Sequence, residues 1–204
     1  MIKNLRTKFN LLPGILFFIL NYSLSAQDLF SVNAERHNLE REGMISLTAW
    51  ASINITGGTA GYFLSKNPEW KYFHEMNVFW NTVNLGLGIA ALARLPKEKP
   101  DLSWGLEKSR KSQRKLEKIF LINTGLDLVY IGAGLSMSLL ADGIKNRDRM
   151  KGYGNALLLQ GTYLFLFDGI EFFLHRNNGW RLFEKTEISV RPSGLGLGLY
   201  LGLR

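Results

Sequence analysis

Apolar residues in this chain gather into four runs, Met44–Leu64, Phe73–Leu95, Ile119–Ala141 and Gly154–Leu174, with charged segments between them. Each run holds about 21 to 23 residues. That length carries an α-helix across a hydrocarbon layer of about 30 Å at 1.5 Å per residue. The third and fourth runs are apolar nearly all round, whereas a soluble surface helix shows a polar face over about half its circumference. Inside each run, polar and small residues recur at steps of three and four, which holds them on one helix face. The first stripe is Trp50, Asn54, Gly57 and Gly61; the second is His74, Asn77, Asn81, Asn84, Gly88 and Ala91. The third is Asn123, Asp127, Tyr130 and Gly134; the fourth is Gln160, Leu164, Asp168, Glu171 and His175. The pattern predicts an all-α fold, a four-helix transmembrane bundle with its stripes turned inward and its apolar faces toward lipid. Amide side chains bond between helices in such a core, and glycines let backbones approach.

The two ends of the chain follow different rules. Lys3, Arg6 and Lys8 precede the apolar stretch FNLLPGILFFIL and the small residues of YSLSAQ. This order predicts a signal peptide over residues 1–26, cleaved after Ala26. Residues 27–43 form a polar N-terminal segment, helical in part, leading into the bundle at 44–178. Residues 179–204 form a C-terminal tail whose period changes to two. Leu195, Leu197, Leu199, Leu201 and Leu203 alternate with Gly196, Gly198, Tyr200 and Gly202, after a turn signal at Pro192-Ser193-Gly194. Period two predicts a short β-hairpin. Its apolar face is expected to rest on the bundle end or the membrane interface. Its glycine face leaves an edge that a protein partner could join by strand addition. No helix follows the glycine run, so it is not a phosphate loop. SINITG at Ser52–Gly57 resembles LINTG at Leu121–Gly125, which suggests two related helical hairpins. Most of the five tryptophans, Trp50, Trp70, Trp80, Trp104 and Trp180, are expected near segment ends, as interfacial aromatics.

A formal net charge of +8 narrows the partners. The basic residues flank the apolar runs, which favours the lipid bilayer, and no nucleic-acid-binding module is present. With no cysteine, thiol chemistry and thiolate metal sites are excluded. No Ser/His/Asp elbow, zinc spacing or Glu-x-x-His pair occurs, so no catalytic residue, metal or cofactor is assigned. Asp127, Asp168, Glu171 and His175 form the one polar cluster with chemical potential. Acids and an imidazole on neighbouring helices can pack as a hydrogen-bonded group, bind a divalent metal or relay protons. The stripe residues Asn54, His74, Asn77, Asn81, Asn84, Asn123 and Gln160 read as interhelical glue, with ligand lining as the alternative. His74 and His175 belong at opposite membrane faces, on the order of 30 Å apart, so they share no site.

The segments KYFHEMNVFWNTVNLGLG, INTGLDLVYIGAG, LLLQGTYLFLFDGI and PSGLGLGLYLGL resemble an uncharacterised family, a domain of unknown function, of small bacterial membrane proteins with an N-terminal signal sequence. The resemblance covers residues 35–204. It implies a compact helical unit and a short β tail, and no activity. A multi-pass protein of the inner membrane is expected, and two topology signals disagree about its orientation. A cleaved signal puts connection two outside, with nine Lys and Arg from Arg94 to Lys118. The positive-inside rule asks for the reverse. Three functions follow in order: a non-enzymatic structural or assembly component of the cell envelope, a small transporter or ligand carrier using intramembrane carboxylates, and a membrane metalloenzyme.

Overall fold

The computed structural model describes the backbone of residues 12–95, 104–183, 187–193 and 196–202, and side chains over 29–95, 104–180 and 182–183. Four helices follow one another: α1 (Leu12–Leu64), α2 (Pro68–Arg94), α3 (Leu106–Leu139) and α4 (Arg147–Phe183). Their ends follow local chemistry. Asn67 caps α2 by accepting a hydrogen bond from the Glu69 amide at 2.8 Å, with Pro68 opening the first turn. α2 stops at Arg94 because Leu95 precedes a proline and is extended. Between α3 and α4 the chain turns through Gly143 at φ 92°, in the left-handed region that glycine enters without steric cost. Asp142 braces that turn through Arg147 at 2.8 Å and Lys151 at 3.3 Å. The Arg147 hydrogen bond holds its carboxyl below the usual range.

The helices outrun the predicted spans. α3 begins 13 residues before Ile119, and α4 continues past Leu174 to Phe183. α1 runs without a break through residues 26–27 and 43–44. The predicted beginning of the chain, residues 1–11, lies outside the described residues.

Four spans were predicted, and two of the described helices, α3 and α4, are long and apolar enough to cross a membrane. α1 and α2 fall short. The serines, threonines, glycines and Asn54 of the Met44–Leu64 run, and the amides of α2, lower any average taken around the helix, wherever those groups point.

α1 packs along α2, and α3 along α4, as two antiparallel hairpins; α4 also packs on α2. Glycine sets the closest approach. A Cβ on Gly134 would lie 2.6 Å from the Leu158 amide nitrogen and 2.7 Å from the Gly154 carbonyl oxygen. Gly88 accepts Thr48 of α1 in the same way, and Gly152 accepts Glu69 and Tyr72 of α2. No Cα atoms of α2 and α3 come within 8 Å of each other. That side of the bundle is therefore split.

The packing is inverted relative to a water-soluble bundle. Asn81, Gln160 and His175 are each 0% exposed, while Phe63 is 78% exposed and Phe173 70%. Outward apolar side chains run from Ile45 to Leu64 on α1, Trp70 to Ile89 on α2, Leu106 to Leu139 on α3 and Leu159 to Trp180 on α4. At the C-terminal end, β1 (Glu187–Ser193) and β2 (Gly196–Gly202) pair antiparallel, from Glu187 with Gly202 to Ser193 with Gly196. Neither strand packs on a helix among the described residues. The expected rest on the bundle end is not made, because alternation fixes a face and not what covers it.

Candidate functional site

Three polar layers lie along the bundle. The upper one joins α1, α2 and α4 through amides. Gln160 accepts from Trp50 Nε1 at 3.0 Å and donates to Asn77 Oδ1 and to Asn54 Oδ1, the latter at 3.4 Å. Asn77 Nδ2 donates to Asn54 Oδ1 at 3.0 Å, and Asn81 Nδ2 to the Asn77 carbonyl at 2.8 Å. Asn54, Asn77, Asn81 and Gln160 are thus brought together. His74 stands apart, under Gly61 and beside the Trp70 and Phe73 rings. It is remote from His175, which stacks on Phe120 at 5.3 Å. Trp50 is not an end-of-helix anchor. Its indole bonds Gln160 and stacks on Tyr163 at 3.8 Å, so its N–H is satisfied inside.

The middle layer holds the acids. Asp127 of α3 and Asp168 of α4 stand side chain to side chain, with Asn123 beside Asp168. Glu171 sits against the α1 backbone, where a Cβ on Gly43 would lie 2.6 Å from Glu171 Oε1. His175 Nε2 is 3.7 Å from Glu171 Oε2, beyond hydrogen-bond reach, and neither ring nitrogen has a hydrogen-bond partner. Asp168, Glu171 and His175 therefore form a file along α4 with Asp127 of α3 beside it. Among the described residues no group of three or more His, Asp or Glu side chains is arranged to hold a metal ion.

The lowest layer is a collar of polar residues that the sequence pattern did not single out. Asn33 Nδ2 donates to Ser109 Oγ at 2.8 Å, and Arg36 Nη1 to the Ser109 carbonyl at 3.3 Å. Asn178 Nδ2 donates to the Val32 carbonyl at 3.0 Å, and Gln113 donates to the His175 carbonyl and to Glu117. Burial pushes the Arg36 guanidinium down, against the pull of Glu40, and pushes the Glu40 carboxyl up. Burial, and then the positive charges of Arg41 and Arg36, hold the His37 imidazole below its usual value. The available signal was spacing: Ser109, Gln113, Glu117 and Phe120 step by four, four and three, extending the α3 stripe outward.

The split between α2 and α3 is a groove of about 940 Å³. Phe79, Val83 and Leu87 of α2 wall one side; Ile119 and Leu126 of α3 wall the other. All five are exposed, so the groove opens sideways onto the apolar exterior. Trp80 and Tyr130, ring against ring at 4.8 Å, span its inner end. Asn84, Asn123, Asp127 and Asp168 line its depth; Arg36, Glu40, Arg94 and Lys115 line the opposite end. Two buried polar atoms in this lining have no hydrogen-bond partner: Asn84 Nδ2 and Asp127 Oδ2. The stripe residues thus divide. Asn54, Asn77 and Gln160 bond one another, Asn81 gives its amide N–H to the Asn77 carbonyl and keeps Oδ1 without a partner, and Asn84 and Asn123 face the groove.

Comparison with known proteins gives one match. A family model described as a family of unknown function (DUF6992) covers residues 46–169. No curated protein and no solved structure matches the chain. The matched stretch includes the amide layer, Asp127, Asp168 and both groove walls; it stops short of Glu171, His175 and the α1 part of the collar.

Proposed function

The chain belongs to this family of unknown function, DUF6992, and on that footing we propose that it is an integral membrane protein that holds an amphiphilic small molecule in the groove between α2 and α3. The observation that carries the reading is the pair of buried, unpartnered polar atoms, Asn84 Nδ2 and Asp127 Oδ2, in the depth of a groove whose side walls are apolar. A buried polar group without a partner costs about 1–3 kcal/mol. Other buried atoms also lack partners, Asn81 Oδ1 and Gln113 Oε1 among them, but these two line the open groove, where a bound molecule satisfies them. The groove opens where lipid chains would lie, so its occupant would enter sideways from the bilayer.

Support for the bilayer itself comes from the inverted packing. Among the described residues, fifteen buried polar or charged ones stand against eight buried hydrophobic ones, while large apolar side chains on all four helices face out. Water would penalise that surface, and hydrocarbon would not. In this reading all four helices enter the membrane. The two that fail an averaged hydropathy test turn their amides inward, and the collar stands outside the apolar belt. Alkaline carbonate extraction tests the embedding: recovery of the protein in the aqueous wash would refute it. Organic extraction of the purified chain tests the occupant. A stoichiometric amphiphile is expected, reduced several-fold in Leu126→Trp, which fills the groove, and unchanged in Ile53→Trp on the outer face. Equal recovery from both variants would place the molecule elsewhere.

The strand pair favours a second reading, a structural or assembly component of the cell envelope. β1 and β2 bond to each other and to no helix among the described residues, which leaves outer edges for a partner strand. Deleting residues 187–204 should strip a partner from the purified complex; an unchanged set of co-purifying proteins would remove the basis for this reading.

A further inference from the structure

We infer that the ligand of the groove is a bipolar amphiphile: an anionic head, an apolar body, and a second group of hydroxyl type about 15–18 Å from the head, the span estimated at 1.5 Å per helical residue. The inference rests on the reading of the groove as a ligand site and goes further by fixing the chemistry at each of its ends.

The deep end sets the first requirement. α2 and α3 run antiparallel, and Trp80 faces Tyr130 across the gap. One turn further along α2, and one turn back along α3, Asn84 and Asp127 therefore stand at the same level. Both line the groove; they are 6% and 2% exposed. Asn84 offers an unused N–H donor and Asp127 an unused carboxyl oxygen. A hydroxyl group donates once and accepts as well, so one hydroxyl between them answers both. A plain hydrocarbon tail answers neither and leaves two polar atoms against methylene groups. That mismatch argues against an ordinary saturated chain lying through this level.

The mouth sets the second requirement. Arg36, Arg94 and Lys115 line it together with Glu40, three positive groups and one negative. Arg36 is held in place by the Ser109 carbonyl at 3.3 Å, by Glu40 at 3.7 Å and over the Trp104 ring at 5.0 Å. A fixed guanidinium with further cations beside it suits a carboxylate or phosphate head. The spacing follows from the helices. Asn84 and Arg94 are ten residues apart on α2, and Asp127 and Lys115 are twelve apart on α3. At 1.5 Å per residue those intervals are about 15 Å and about 18 Å. The apolar walls at Leu87 and Ala91 of α2 and at Ile119 and Leu126 of α3 lie between the two polar stations.

Calorimetric titration of the full chain in a mild detergent tests this with four probes: hexadecanoic acid, α-hydroxyhexadecanoic acid, ω-hydroxyhexadecanoic acid and hexadecan-1-ol. The ω-hydroxy acid should bind about tenfold more tightly than hexadecanoic acid, the factor expected for satisfying otherwise unpaired buried groups. The α-hydroxy acid carries its hydroxyl beside the head and should gain nothing. In Asn84→Leu the preference for the ω-hydroxy acid should vanish while hexadecanoic acid still binds. In Arg94→Gln/Lys115→Gln both acids should weaken and the alcohol should not. The wild-type series stands alone if a variant fails to fold. Equal affinity for hexadecanoic acid and its ω-hydroxy form would overturn the inference, the two orphan atoms then being hydrated, and would leave the groove reading intact. Failure of every probe to bind would overturn the groove reading itself.

Discussion

Gln160 is the residue whose removal should test the bundle core most directly. It is wholly buried, accepts from Trp50 Nε1 at 3.0 Å, donates to Asn77 Oδ1 and makes a longer contact of 3.4 Å to Asn54 Oδ1. Gln160→Leu keeps most of the volume and removes every one of these bonds. Counting the bonds to Trp50 and Asn77, and leaving out the long one, gives two interhelical bonds. In membrane proteins each is worth about 0.6 kcal/mol on average and about 1.7 at most. The expected loss is therefore about 1 to 3 kcal/mol. Asn77 Oδ1 retains the Asn81 amide at 3.4 Å, and Asn54 Oδ1 retains Asn77. Trp50 Nε1 is the group left without this acceptor, so the loss should couple chiefly to Trp50. Trp50→Phe removes the N–H and keeps an aromatic ring to stack on Tyr163. A double-mutant cycle of the two substitutions should return a coupling of about 0.6 to 1.7 kcal/mol. Reversible unfolding in mixed micelles, followed by the accessibility of a reporter cysteine, measures each corner. A cycle that closes at zero, or a Gln160→Leu variant as stable as the parent, would refute the claim that this amide ties three helices together.

Other expectations follow from single contacts. Gly134→Ala places a methyl 2.6 Å from the Leu158 nitrogen and should cost about 1–3 kcal/mol by forcing α3 and α4 apart. Gly125→Ala meets nothing within 4 Å and should be neutral or stabilising by up to about 1 kcal/mol, read in the same unfolding assay. In the collar, burial and two arginines depress His37, whose ordinary value is 6.5. Its neutral form is favoured on folding, so its stabilising contribution is complete above that value and is lost as pH falls below it. Glu40, raised by burial, works in the opposite sense, and both proteins in the comparison carry it. Unfolding at pH 7.5 and 5.5 should therefore show a smaller acid-side loss in His37→Gln than in the parent; equal losses would place His37 in water.

Much of the helical core was legible because polar residues at steps of three and four mark a face whatever solvent surrounds it. The second stripe is the clearest instance. Asn77, Asn81, Asn84 and Gly88 are the buried residues of α2. In the first stripe the register slips by one, since Gly58, not Gly57, meets α2. The collar went unread because a charged connection looks alike whether it is solvated or packed. Only contact with Asn33 and Arg36 separates Ser109 from its neighbours.

The sequence by itself determined which faces of the four helices shun apolar surroundings, because side-chain chemistry and a period of 3.6 residues are local properties. The tertiary structure alone decided which of those faces meet. It closed Asn54, Asn77 and Gln160 into a satisfied network and left Asn84 and Asp127 looking across a gap. Whether two helices touch depends on glycine-set distances and on crossings between residues far apart in the chain. Nothing in the local pattern of α2 or α3 encodes that they stay apart.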